Sequence, residues 1–138
     1  MGVFGALRLS GSALQAERTR MDVIAENIAN VETTRAGDGE PYRRRQVVLR
    51  TFQVGRAPGG ESLAGVRVAD LEPDLSPLPR LHNPSHPDAD PDGYVLMPNV
   101  DLPTEMADMV LAARAYEANA AAFKSGREII RQALSILA

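Results

Sequence analysis

All ten prolines of this 138-residue chain lie between Pro41 and Pro103. An interior proline removes a helical hydrogen bond and costs a helix about 3 kcal/mol, so residues 1–40 and 104–138 can form long helices and the middle cannot. The expectation is a mainly α fold with a small β region. Long N- and C-terminal helices form a coiled-coil pair and an irregular middle carries a β-hairpin, with boundaries at 1–34, 35–103 and 104–138. At this length one domain with a modest core is the natural size.

Leu7, Leu14, Met21 and Ile28 recur every seven residues in the first segment, with Ile24 and Val31 three beyond the last two. This is an apolar seam along one helix face. About 28 helical residues would span about 40 Å. Ser10, Gly11 and Ser12 are weak helix formers, so a bend or a ragged start is expected there.

The last segment repeats more strictly. Met109, Tyr116, Phe123, Ile130 and Leu137 stand seven apart, with Met106, Ala113, Ala120 and Leu134 on a companion row and Arg127 as the one interruption. A seven-residue repeat held over more than four heptads calls for a left-handed supercoil with a partner helix. Asp101 or Thr104 can cap its start, Pro103 suits the first turn, and Glu105 and Asp108 complement the helix dipole.

Between the helices, residues 45–54, 65–71 and 93–98 carry short strand signals, best in Val66, Arg67 and Val68. The stretches 55–62 and 73–92, rich in Gly, Pro, Ser and Asp, read as turns or extended linkers. Arg43, Arg44 and Arg45 in a row suggest a charged sheet edge that discourages unwanted pairing.

The net charge of −3 is small and the signs are mixed, which argues against a nucleic-acid or anionic-membrane partner. No apolar run approaches the length of a membrane span, and the N-terminus lacks the pattern of a cleavable secretory signal. Absence of cysteine removes disulfides and thiolate sites. Asp88, Asp90 and Asp92 with Gly93 begin like a calcium loop, but position twelve is Asn99 rather than glutamate and prolines forbid the flanking helices. His82 and His86 flank Pro84 and cannot align on a helix. No metal, cofactor or catalytic constellation is expected.

Apolar residues stand at both extremities, where most chains are polar, and one antiparallel helix pair leaves much of each seam uncovered. Neighbouring copies completing the core would account for this, with the ends ordering on assembly. The rivals are a closed coiled-coil oligomer, such as an adaptor or export chaperone, and a metal enzyme built on the acidic turn.

The motif "ENIANVETT", with Asn27, Ala29, Asn30 and Thr33, resembles the signature that ends the first helix of bacterial flagellar axial proteins, with Ile28 where leucine is commoner. Four stretches resemble the proximal rod subunits within that family: "GSALQAERTRMDVIAENIAN", "GEPYRRRQVV" with Pro41 and Tyr42, "GYVLMPNVDLPTEM" with Gly93, Tyr94, Pro98, Asn99, Val100 and Asp101, and "ARAYEANAAAF" with Tyr116, Glu117 and Asn119. The resemblance implies a non-enzymatic rod subunit whose terminal helices pack helically into an inner tube while the middle lies outside. Other copies, other rod proteins, the junction protein between rod base and export gate, and the flagellar type III export apparatus would be its partners. It implies passage into the periplasm without a cleaved signal. Asn27, Asn30 and Thr33 would then turn the chain out of the first helix, and Tyr116, Glu117 and Asn119 would face neighbouring subunits.

Overall fold

The computed structural model describes residues 3–56, 60 and 62–137, the side chains of Val3, Phe4 and Leu137 excepted. Two helices, α1 (Val3–Ala29) and α2 (Leu102–Leu137), flank four strands, β1 (Arg45–Arg56), β2 (Ser62–Pro73), β3 (Arg80–His82) and β4 (Tyr94–Leu96). Asp101 starts α2: its carboxylate accepts the Thr104 N–H at 3.2 Å and the Thr104 hydroxyl, and its carbonyl accepts the Glu105 N–H. Pro103 therefore sits in the first turn, where its missing donor costs nothing.

The helices run antiparallel. Leu7 lies against Gly126, Gly11 against Phe123, and Arg20 reaches Asp108 at 3.6 Å. Counted along this pairing, α2 continues past the start of α1 by its last turns.

The β1–β2 hairpin lies along the other side of α1, and among the described residues neither of its strands packs against α2. Its antiparallel ladder pairs Phe52 with Gly65 and is kinked by bulges at Val48/Leu49 and Gln53/Gly55. A Cβ at Gly65 would stand 2.9 Å from both the Phe52 ring and the Ser12 hydroxyl, so only glycine lets strand and helix come this close. The Val66 N–H, on the strand's free edge, donates to that hydroxyl at 3.3 Å.

Gly11 and Ser12 therefore serve packing. α1 runs unbroken through them. Gly5, Ser12, Ala16 and Val23, spaced by seven, four and seven residues, form a second row turned to the hairpin. Being packed on both sides buries Ala16, Val23 and Ile24 of α1, with Ala112 of α2 opposite. Leu7, Leu14, Met21, Ile28 and Val31 are half-buried.

Residues 80–82, expected as linker, instead form β3 and pair with β4, Leu81 opposite Val95. A three-residue strand enclosed by Pro79 and Pro84 is too short to show alternation, and it is the partner strand that makes it β. The turn joining them depends on Gly93, whose φ is +80° and whose Cβ would stand 2.9 Å from Pro84 Cγ. Gly93→Ala is expected to lower stability by about 2–3 kcal/mol, from a left-handed backbone plus a clash, measured as a shift in the urea midpoint.

Candidate functional site

Glu105 stands four residues before Met109, on the core-facing row of α2, and is fully buried at 0% exposure. A lone carboxylate there would be prohibitive, so everything around it is arranged to hold its charge. Arg44, in the segment entering β1, places Nε 2.6 Å from Glu105 Oε1, and its guanidinium also reaches Asp108 at 3.7 Å and Asp74 at 3.9 Å. The second oxygen accepts the Asn27 amide N–H at 3.0 Å.

Asn27, itself 1% exposed, uses all four of its hydrogen-bonding positions. Its amide donates to Glu105 and to the Arg45 carbonyl at 3.0 Å, and its oxygen accepts the Arg45 N–H and the Tyr42 hydroxyl, each at 2.9 Å. Asn99 adds a second amide clamp: it accepts the Arg44 N–H at 2.8 Å and donates to the Asp74 carbonyl and the Ser76 hydroxyl. One connected set of polar groups thus joins the end of α1, the start of α2 and the base of the hairpin. The Ser76 N–H, more than any other neighbour, holds the Asp74 carboxyl below the usual carboxylate range. Burial, with Glu26 next in weight, pushes the Tyr42 phenol up.

The arginine run is consequently not a solvated sheet edge. Arg44 points inward, Arg45 pairs with Glu26 at 3.2 Å, and Arg43 donates to the Ser76 carbonyl. Asn30 and Thr33 close the helix end beside it. The Asn30 amide donates to the Glu26 carbonyl at 2.9 Å, its oxygen accepts the Thr33 hydroxyl, and the Tyr42 N–H returns to the Thr33 carbonyl. Ala29 is the exposed last residue of α1, Pro41 and Val100 are half-buried, and Pro98 is buried. Glu117 pairs with Arg114 and Asn119 bonds back to the Ala115 carbonyl, both on their own helix, beside half-buried Tyr116.

The acidic turn is engaged by protein groups. Asp88 accepts from Thr34 at 2.8 Å and pairs with Arg35 at 2.5 Å. Asp90 accepts the Tyr94 and Asp92 N–H groups and pairs with Arg80 at 2.7 Å, and the Tyr94 N–H above all lowers its pKa. Arg80 in turn lies over the Tyr94 ring, and His82 meets that ring edge-on. His86 accepts the Asp88 N–H. Among the described residues no three His, Cys, Asp or Glu side chains gather as a metal site. The arrangement is a structural clamp.

Sequence reasoning missed Arg44, Asp74 and the burial of Glu105. The signal was available in Glu105, a carboxylate in register with the apolar row Met109, Ala112 and Tyr116.

Residues 7–36, which carry Asn27 and the turn after it, match the family of flagella basal body rod proteins. Residues 92–136 match the C-terminal part of the flagellar basal body rod FlgEFG proteins. A helix pair pinned to a strand-rich middle by these two segments is thus the design of a flagellar rod protein. Over nearly its whole length the chain is 42% identical to the flagellar basal-body rod protein FlgC of Borreliella burgdorferi, covering 99% of each. It is 38% identical to FlgC of Bacillus subtilis, again over 99% of each, and 36% identical to FlgC of Aquifex aeolicus, over 96% of this chain and 95% of that one. The chain belongs to the FlgC family of flagellar basal-body rod proteins, structural components of the basal body and not enzymes.

Glu105→Ala leaves Arg44 and Asn27 without their partner and is expected to lower stability by about 2–3 kcal/mol, less than a fully buried pair would lose because Arg44 keeps some contact with water. Urea unfolding checks this. Tyr42 gives a pH signature. The folded chain holds the phenol proton more tightly than the unfolded one. Its contribution is therefore whole below about pH 10 and is lost as pH rises through the raised value. Tyr42→Phe should remove that alkaline step from a stability profile, while costing about 1 kcal/mol at neutral pH for the lost hydrogen bond.

Proposed function

We propose that this rod subunit is incorporated through apolar rows of its terminal helices, which pack against those of its own copies and of related rod proteins in a helical array. The observation that carries this is the outer face of α2. Leu111 is 61% exposed, and Ile129 and Ile136 on the same row are likewise uncovered, with no strand packed on that helix among the described residues. Isolated apolar rows of this extent on a soluble chain signal a partner. Leu111, Ala115, Ala118, Ala122, Ser125, Ile129, Gln132 and Ile136 follow alternating four- and three-residue steps with only Ser125 and Gln132 polar, so a second coiled-coil seam lies opposite the one facing α1.

Of the residues expected at the interface, Met106, Phe123 and Leu134 are exposed. Met109, Ala113, Tyr116, Ala120 and Ile130 are half-buried against α1, Ile24 is covered within the chain, and the Leu137 side chain lies outside the described residues. In this reading the helices of residues 1–34 and 104–138 line the inner layer of the rod and residues 35–103 form the outer one. The subunit leaves the cytoplasm through the flagellar type III apparatus without a cleaved signal. It meets the junction protein at the rod base and stands in the part of the rod that crosses the periplasm. No described helix is long and apolar enough to cross a membrane. Termini that stay loose until assembly suit passage as an unfolded chain.

Leu111→Asp tests the reading. It removes about 2 kcal/mol of apolar burial at a contact between subunits without touching the fold of one. The purified variant should keep wild-type helicity, and a strain carrying it in place of its own copy should fail to swim. Normal swimming would sink the proposal.

A further inference from the structure

The loop from β3 to β4 opens on Asn83, Pro84, Ser85 and His86. An asparagine before proline has a chemistry of its own. Elsewhere a succinimide forms when the following backbone nitrogen attacks the side-chain amide, but the proline nitrogen carries no hydrogen and that route is closed. The ring can form only the other way, with the side-chain nitrogen attacking its own main-chain carbonyl, and this closure breaks the chain. In an unstructured peptide the attack is slow. A fold hastens it by leaving the nitrogen free and by holding the carbonyl in place and polarised.

Both conditions are met at Asn83. The His86 N–H donates to the Asn83 carbonyl at 3.1 Å, closing a β-turn with Pro84 at its second position. That donor polarises the carbonyl under attack and stands where it can stabilise the oxyanion formed there. The Ser85 hydroxyl donates to Asn83 Oδ1 at 3.2 Å, which draws charge out of the amide and makes its nitrogen proton easier to lose. Asn83 Nδ2, the attacking atom, donates to no protein group among the described residues. By contrast, Asn27, Asn30, Asn99 and Asn119 each spend that nitrogen on a hydrogen bond. The Asn83 N–H is held by the Gly93 carbonyl at 2.9 Å, next to the β3–β4 ladder, so the backbone before the turn is fixed. Glu32 and His86 line one small groove with Asn83. His86 Nδ1 accepts the Asp88 N–H, so the neutral ring carries its hydrogen on Nε2.

We propose that the folded chain cleaves itself between Asn83 and Pro84. Asn83 Nδ2 attacks the Asn83 main-chain carbon, the new C–N bond closes the imide ring, and the bond from that carbon to the Pro84 nitrogen breaks. The proton given up by the amide ends on the Pro84 nitrogen, which leaves as a secondary amine, with Glu32 and His86 as the groups in the groove able to carry it. The step consumes no water or other reactant, and each chain reacts once. It leaves residues 1–83, ending in a succinimide, and residues 84–138, beginning with a free Pro84. The fold outlasts the cut. Arg80 still pairs with Leu96, Leu81 with Val95 and His82 with Tyr94, and α1 packed on α2 joins the same two pieces. Once unfolded, however, the pieces can refold only by meeting again, so the cut makes folding a one-way step.

Mass spectrometry of the purified full chain, incubated at neutral to mildly alkaline pH with protease inhibitors present, tests this. Two fragments are expected whose masses sum to that of the intact chain, the first being one water lighter than a hydrolytic product. Their yield should rise with pH, because the amide must lose a proton to attack. Asn83→Ala should give neither fragment. Pro84→Ala should also stop cleavage and give deamidation at Asn83 instead, since a backbone N–H then follows the asparagine. Unfolding the chain in urea should slow cleavage at least about tenfold, because the turn that polarises the carbonyl is lost. The proposal is overturned if the unaltered chain stays whole over several days, or if Asn83→Ala is cut at the same place. It is equally overturned if the first fragment ends in plain asparagine from the earliest times, or if the unfolded chain is cut as fast as the folded one.

Discussion

A carboxylate with no access to water sits at the point where three parts of the chain meet. Glu105 cannot keep its charge there unless Arg44 and Asn27 come to it, and they come from opposite ends of the segment that leaves α1 and enters β1. Satisfying one buried group therefore fixes the register of the two helices, the exit of the chain from α1 and the root of the hairpin together. The apolar core alone could not do so. Its fully buried side chains are few and small, chiefly Ala16, Val23, Ile24, Val95 and Ala112, and such a core tolerates sliding.

The small core and the demanding polar clamp fit a subunit of a larger assembly. A monomer with all of its apolar surface covered would have nothing left to join. Here α1 is covered on two sides and α2 on one, so a single chain is half of a packing problem. The clamp holds the unfinished helix pair at a set angle and length, and the uncovered face of α2 is presented as a straight row. Rigidity at one end and open apolar surface along the helix are complementary requirements of a structural part of the flagellar basal-body rod.

Much of this was legible in the amino-acid order. Proline placement marked the two helices and the strand-bearing middle. Asp101 announced the start of α2, and the asparagine motif marked where α1 ends. Other parts were not legible. β3 has three residues and no pattern of its own, so only its pairing with β4 makes it a strand. Arg43, Arg44 and Arg45 look alike in sequence yet meet a carbonyl, three carboxylates and a glutamate of α1, because each is turned by the backbone toward a different neighbour. Gly11 and Ser12 read as weak points in a helix and are contact points in the fold.

Periodicity and backbone chemistry are local, so the sequence by itself determined the long helices, their caps, the breaks between them and an apolar surplus that asks for company. Which apolar row meets α1 and which stays open depends on where a distant hairpin lies down. The hairpin lies on α1 because Gly65 and Ser12 permit close approach there and because Arg44 and Arg45 tie its base to Glu105, Glu26 and Asn27. Those are contacts between residues tens of positions apart, and burial is a property of all of them at once. Only the tertiary structure could decide that a glutamate beside a helix start is the largest fully buried side chain among the described residues.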